Sequence, residues 1–467
     1  MLKKSFIIPA AALFTVGLFI VFNKRPDNKQ LANYKPSFIQ RPYGSDLPKE
    51  PAALPNEWMG YQRTFPYGKI KQDNYLRAIR NAQELHSSNG ERDLEWISLG
   101  PENIGGRITD LACNPQEPAT VYIAAASGGI YKTTDTGLTW QQIFTDAPVI
   151  SIGDIALDPN NSMVIYAGTG EANASSYSFL GDGLWKSADG GESWTHSGLE
   201  SSAYIARIIV DYNNSDRVFA AACGTLFSSS SERGVYRSAD GGASWDRVLF
   251  LTDSTAAIDL VQHPTNPDIL YTAMWERIRG LNYRKSGGET SGIWKTVDGG
   301  NNWVELINGL PSGDNIGRIG LDISISNPDI LYAFYDQHIN EDEDYSFRGI
   351  FKTIDGGESW VQTNDNSIMD MSSRFGWYFG QIRIDPVNPD RVYALGVDLV
   401  RTENGGSSWE AIAGYWNSDD IHVDHHAMII DPNTGRILEG NDGGLYISNN
   451  YGNTWQHINN IPLTQFY

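Results

Sequence analysis

Three patterns of apolar and polar positions follow one another along the chain. Residues 5–22 form an apolar run without charge, preceded by Lys3 and Lys4 and ended by Asn23, Lys24 and Arg25. As a helix the run would reach roughly 27 Å. It predicts a membrane anchor over residues 1–25, or a signal peptide if cleaved, and in both cases an extracytoplasmic body. Residues 26–90 predict a tether, which closes with a short amphipathic helix where Tyr75, Leu76, Ile79, Ala82 and Leu85 recur at helical spacing. From 91 to 467 the pattern becomes short apolar runs between tight polar turns, which predicts many short strands.

Those turns repeat. One octapeptide pattern occurs seven times: TTDTGLTW, SADGGESW, SADGGASW, TVDGGNNW, TIDGGESW, TENGGSSW and SNNYGNTW. The closing residues Trp140, Trp194, Trp245, Trp303, Trp360, Trp409 and Trp455 are 54, 51, 58, 57, 49 and 46 positions apart. That period fits a four-stranded propeller blade with variable loops. Asp135, Asp189, Asp240, Asp298, Asp355 and Asn404 can bond the turn backbone, glycine accepts positive φ, and the Trp ring packs between layers. A second turn, such as DPNNS at 158–162 or DPVNPD at 385–390, joins two further strands in each unit. The expectation is an all-β propeller of at least seven four-stranded blades. EWISLGP at 95–101 resembles a fourth strand with no box before it, which predicts an open ring cut from a longer protein; the alternative is a closed seven-bladed ring with an extra edge strand.

These are Asp-box repeats, and their order resembles the sortilin N-terminal propeller family and its bacterial relatives, more distantly the tandem-propeller xyloglucanases. Phrases such as LGPENIGGRITDLACNP, MWERIRG, FGWYFGQIRIDP and HVDHHAMIIDP carry the resemblance. The first likeness implies an envelope-tethered scaffold that binds protein, peptide or glycan on its variable loops. The second implies a glycoside hydrolase working in a cleft between two propellers. In the xyloglucanases a catalytic Asp lies in a TD-x-GG phrase; the matching phrase here is AASGG, so Ala126 stands at that Asp's place. The scaffold is the leading expectation and polysaccharide hydrolysis the alternative.

Composition narrows the partners. With 56 acidic against 35 basic side chains the formal charge is −21, which excludes the basic footprint that nucleic acid requires. Chain direction puts the boxes on one rim and all long insertions on the other. The variable rim gathers Glu171, Trp275, Glu276, Arg277, Asp336, Asp398 and Asp442, together with the run HVDHH from His422 through His425 to His426. If 422–426 is extended, His422, Asp424 and His426 share one face and could hold a divalent metal, bind a polar ligand, or form a hydrogen-bonded structural cluster. No cofactor is otherwise expected. A glycosidase would need two carboxylates roughly 5 to 9.5 Å apart.

Overall fold

The computed structural model describes residues 65–67, 71–88 and 105–465, apart from 146, 174, 176–177, 280–283, 340–344 and 415–419. The chain divides into residues 1–70 and 71–467, and every described strand belongs to the second unit. The apolar run 5–22, the segment 95–101 and the acidic run 341–344 lie outside the described residues. Among those described, no helix is long and apolar enough to cross a membrane. One helix, Gln72–Ser88, forms where the spacing predicts it.

Seven four-stranded antiparallel sheets succeed one another in chain order, and each draws its strands from its own repeat. Their first strands are Ile108–Cys113, Ile152–Asp158, Ile205–Val210, Thr255–Gln262, Ile316–Ile323, Gln381–Ile384 and His425–Ile430. These strands pack side by side in a circle, numbered here as blades 1 to 7. Blade 4 adds a small hairpin, Ile278–Arg279 with Arg284–Lys285, between its second and third strands.

The open ring expected from EWISLGP is not what forms. Ile108, Leu111, Val121 and Ile123 of blade 1 pack against Ala427, Leu438, Leu445 and Ile447 of blade 7. The ring closes on seven blades by apolar burial, and among the described residues no strand is shared between first and last.

Two sets of polar bonds tie neighbouring blades. Near the axis, the first strands of blades 1 to 5 and 7 carry β-bulges, and carboxylates on these strands staple across. Asp110 accepts the Ile155 amide at 3.0 Å, Asp154 that of Ile208 at 2.7 Å, Asp259 that of Leu321 at 2.9 Å and Asp322 that of Ile384 at 2.7 Å. Each carboxylate so placed satisfies an amide that burial would otherwise leave unpaired. At the opposite periphery, the cation just before each box donates to a carbonyl in the next blade's box: Lys132 to Gly190, Lys186 to Gly241, Arg237 to Gly299, Lys295 to Gly356, Lys352 to Gly405 and Arg401 to Tyr451. Blade 7 has Ile447 in that place, and Asn460 supplies the bond to Gly137 of blade 1 instead, at 3.2 Å.

The boxes are self-contained. Thr133 donates to Asp135 at 2.7 Å and accepts the Gly137 amide, while Asp135 accepts the Thr139 amide at 2.9 Å and its hydroxyl at 2.6 Å. The same pattern recurs around Asp189, Asp240, Asp298 and Asp355. Asn404 and Asn450 keep it by donating to Ser408 and Thr454.

Candidate functional site

On the rim opposite the boxes, loops between second and third strands meet those that pass from blade to blade. They enclose a pocket of about 290 Å³. One wall is aromatic, from Phe179, Phe375, Trp377, Tyr378 and Phe379; the other carries Arg107, Glu171, Asp424 and Asp442, with Ala126 and Ser127 at the edge.

Arg107 organises the polar wall. It enters from the residue before blade 1's first strand and donates two parallel bonds to Asp442 of blade 7, at 2.6 and 2.8 Å, and a longer one to Glu171 of blade 2, at 3.4 Å. Its guanidinium lies 5.0 Å from the centre of the Tyr378 ring. Glu171 is also bonded by the Tyr378 hydroxyl and by Ser178 at 2.9 Å. His426, on the bulge of blade 7, reaches Asp442 through Nε2 at 2.6 Å and faces the Asn173 amide through Nδ1 at 3.4 Å. Arg318 donates to Asn173 Oδ1 at 2.6 Å, so Asn173 presents its NH₂ to His426. That assigns the His426 proton to Nε2, where it is donated to Asp442.

The two aspartates on this wall are driven in opposite directions. Burial alone would raise the Asp442 carboxyl, but the bonds from Arg107 and His426 outweigh it and hold the group well below the usual carboxylate range. Asp424 is raised by burial and by the nearby Asp442 charge. Its backbone sits at φ 71°, a left-handed conformation that costs energy for a residue with a side chain. The Tyr378 hydroxyl is pushed well above its ordinary value, first by burial and then by Glu171.

Of the residues singled out in the sequence, Glu171, Asp424, His426 and Asp442 come together here. Others support it from beneath. Trp275 is fully buried and donates to Ser286 O at 3.0 Å, while Arg277, also buried, donates to Asn173 O at 2.9 Å. Asp336 is buried against Gly376, and burial raises its carboxyl strongly. The rest stand apart. Glu276 is held by Lys285 and Thr290 within blade 4, and Asp398 sits in the turn of blade 6, beside Gly414. His425 is buried against Glu439 at 2.7 Å. His422 is exposed, with Nδ1 2.6 Å from Val423 O. The strand of blade 7 begins at His425, and the positive φ at Asp424 breaks the alternation that a shared face for His422, Asp424 and His426 required. Among the described residues no three His, Cys, Asp or Glu side chains are gathered as metal ligands would be.

Sequence reasoning passed over Arg107, Tyr378 and the aromatic wall as parts of the site. Their signal was present in GGRITDL and FGWYFG, two phrases rich in large side chains and glycine outside any box.

The chain matches no known family profile. It is 24% identical over 364 residues to a xyloglucanase of Acetivibrio thermocellus, which covers 64% of this chain and 40% of that protein. A xyloglucanase of a Paenibacillus species is 23% identical over 359 residues, covering 64% of this chain and 33% of its own length. Among solved structures, an ancestral GH74 enzyme superposes with a TM-score of 0.59 at 22% identity, over 78% of this chain and 48% of that one. This is the same fold. The chain thus spans less than half the length of the relatives it matches. These findings overturn the sortilin-type binding scaffold as the leading expectation, because the relatives are named as glycoside hydrolases and none of these matches is sortilin-like. The distant likeness drawn from the boxes is the one that the comparisons support.

Proposed function

We propose that this chain is a propeller of a glycoside hydrolase that acts on polysaccharide, with the aromatic-lined pocket as a sugar subsite. The observation that carries this reading is a single pocket in which aromatic rings face two aspartates of opposite proton affinity. Sugar rings present flat C–H faces that stack on aromatic side chains, and a few fixed polar groups then set orientation. Hydrolysis of a glycosidic bond needs one carboxyl that keeps its proton and one that stays ionised. Ala126 lines this pocket at the place where the xyloglucanase likeness would put an Asp, so that position supplies no acid. Asp424 is the candidate proton donor: its proton passes to the glycosidic oxygen as the bond to the anomeric carbon breaks. Asp442, kept anionic by Arg107 and His426, stabilises the positive charge that develops on the sugar ring. Water completes the reaction and returns a proton to Asp424.

The kinship of the relatives makes xyloglucan the first substrate to test. Purified full-length chain is incubated with xyloglucan and a panel of neutral and acidic polysaccharides, and new reducing ends are counted. Asp424→Asn is expected to lower kcat by about 100-fold or more, and Trp377→Ala to raise KM. If no polysaccharide gains reducing ends, or if Asp424→Asn equals the parent, the reading fails.

A further inference from the structure

Beside the pocket, behind Trp377, the small hairpin of blade 4 sets Arg279 directly across from Arg284. Like charges placed opposite each other on a two-stranded ribbon repel, and this chain is strongly acidic elsewhere. Arg277 precedes Arg279 by two positions and points the same way. The guanidinium carbons of Arg277, Arg279 and Arg284 lie 5.2, 5.6 and 4.3 Å from the centre of the Trp377 ring, so one indole carries three cations. Arg277 is fixed by its bond to Asn173 O. Arg284, part-exposed, donates no hydrogen bond to a described residue, and its Nε is buried without an acceptor. The carboxylate that faces Arg284 from blade 5, Asp336, is itself pushed up by burial, and its single charge offsets the three cations only in part. Glu276 is taken by Lys285 and Thr290.

We propose that this arginine hairpin is a subsite for the carboxylate of an acidic sugar, so that the polysaccharide bound here bears uronate residues. The proposal rests on the sugar-binding reading of the adjoining pocket and names its substrate class. A sugar stacked on the Trp377 side of the pocket would bring a ring substituent towards Arg284, whose planar fork matches a carboxylate with two parallel bonds. The net charge of −21 repels a polyanion as a whole, so a preference for an acidic polymer must come from a local group of cations such as this one.

The test measures binding by the full chain, at low ionic strength, of a uronate-bearing polysaccharide and of the same material with its carboxyls reduced to hydroxymethyl groups. The parent is expected to bind the acidic form tighter by on the order of tenfold, as for hydrogen bonds to a charged group. Arg284→Gln is expected to abolish that ratio, and added salt to shrink it. Equal affinity for the two polymers, or a ratio that survives Arg284→Gln, overturns the proposal. So does tighter binding of a sulfated polymer than of the uronate form. A preference seen only after Glu341, Asp342, Glu343 and Asp344 are changed to amides would assign the cations to that run and likewise overturn it. Reducing-end release from the carboxyl-reduced polymer is scored separately, so hydrolysis and acid preference can fail independently.

Discussion

Carboxylates line both rims of the ring, and their surroundings differ in kind. On the box rim Asp135, Asp189, Asp240, Asp298 and Asp355 are held at about 2 by hydrogen bonds, the first of them from the side chain four positions on. Every partner lies within the same octapeptide, so one short phrase reproduces one environment wherever it occurs. On the pocket rim Asp442, Glu171 and Asp424 come from blade 7, blade 2 and the crossing from blade 6 to blade 7. Arg107 reaches Asp442 across 335 residues of sequence. Arg107 bonds two of these carboxylates, yet each has a different set of partners, and two of them are shifted in opposite directions. Repetition marks structure; a singular long-range assembly marks chemistry.

If that contrast holds, damage to a box should unfold the protein without altering what the folded fraction does. The strongest case is Trp360, 3% exposed. Trp360→Ala is expected to cost about 3 to 5 kcal/mol, read by denaturant unfolding, with polysaccharide binding per folded molecule unchanged. A stable variant with lost binding would break the comparison. Trp245, only half-buried and bonded to Ser197 O, should cost less. Next comes Arg107→Met, which leaves the buried Glu171 and the mostly buried Asp442 without their cation. Here stability should fall by about 3 kcal/mol, the low end for removing one partner of a buried ion pair, and binding should fall with it. Loss of only one of the two would separate the clasp from the pocket.

The same contrast explains what could be read from the chain alone. Blade number, the four-strand unit and the rim bearing the boxes were legible because the box is local and its Trp recurs at a blade's spacing. Glu171 and Asp442 were found through their place after a second strand. The shared face for His422, Asp424 and His426 failed at one backbone angle, the φ of 71° at Asp424, which residue spacing does not encode. Glu276 was misplaced because its partner Lys285 returns on a hairpin that no periodicity announces. A closed seven-bladed ring stood only as the alternative because EWISLGP suggests an unpaired fourth strand, whereas the apolar packing of blade 1 on blade 7 that closes the ring leaves no local pattern in the chain.

Acid titration sharpens the comparison further. Asp442 is depressed in the folded state, so its contribution to stability is complete above the ordinary carboxyl value of about 4 and is lost as the pH falls below it. The difference in unfolding free energy between the parent and Asp442→Asn should therefore shrink between about pH 4 and pH 2. The five depressed box carboxyls are present in both proteins and cancel in the difference. A gap that stays constant over that window would mean that Asp442 acts by packing and not by charge.

The smallest expected effect tests a box that keeps its Asp but lacks the glycine after it. Gly190, Gly241, Gly299, Gly356 and Gly405 occupy the residue after the box Asp or Asn at φ between 67 and 74°. In blade 1 that place is taken by Thr136 at φ 62°, where a β-branched side chain is strained. Thr136→Gly removes the strain, but it also gives the unfolded chain more freedom to lose. The bond it deletes, from the Thr136 hydroxyl to Asp135 O, is exposed. The balance should be a gain of about 0.5 kcal/mol, visible as a slightly higher Tm with binding unaltered. A lower Tm would show that the turn of blade 1 is held by its own side chain and not by the geometry common to the other boxes.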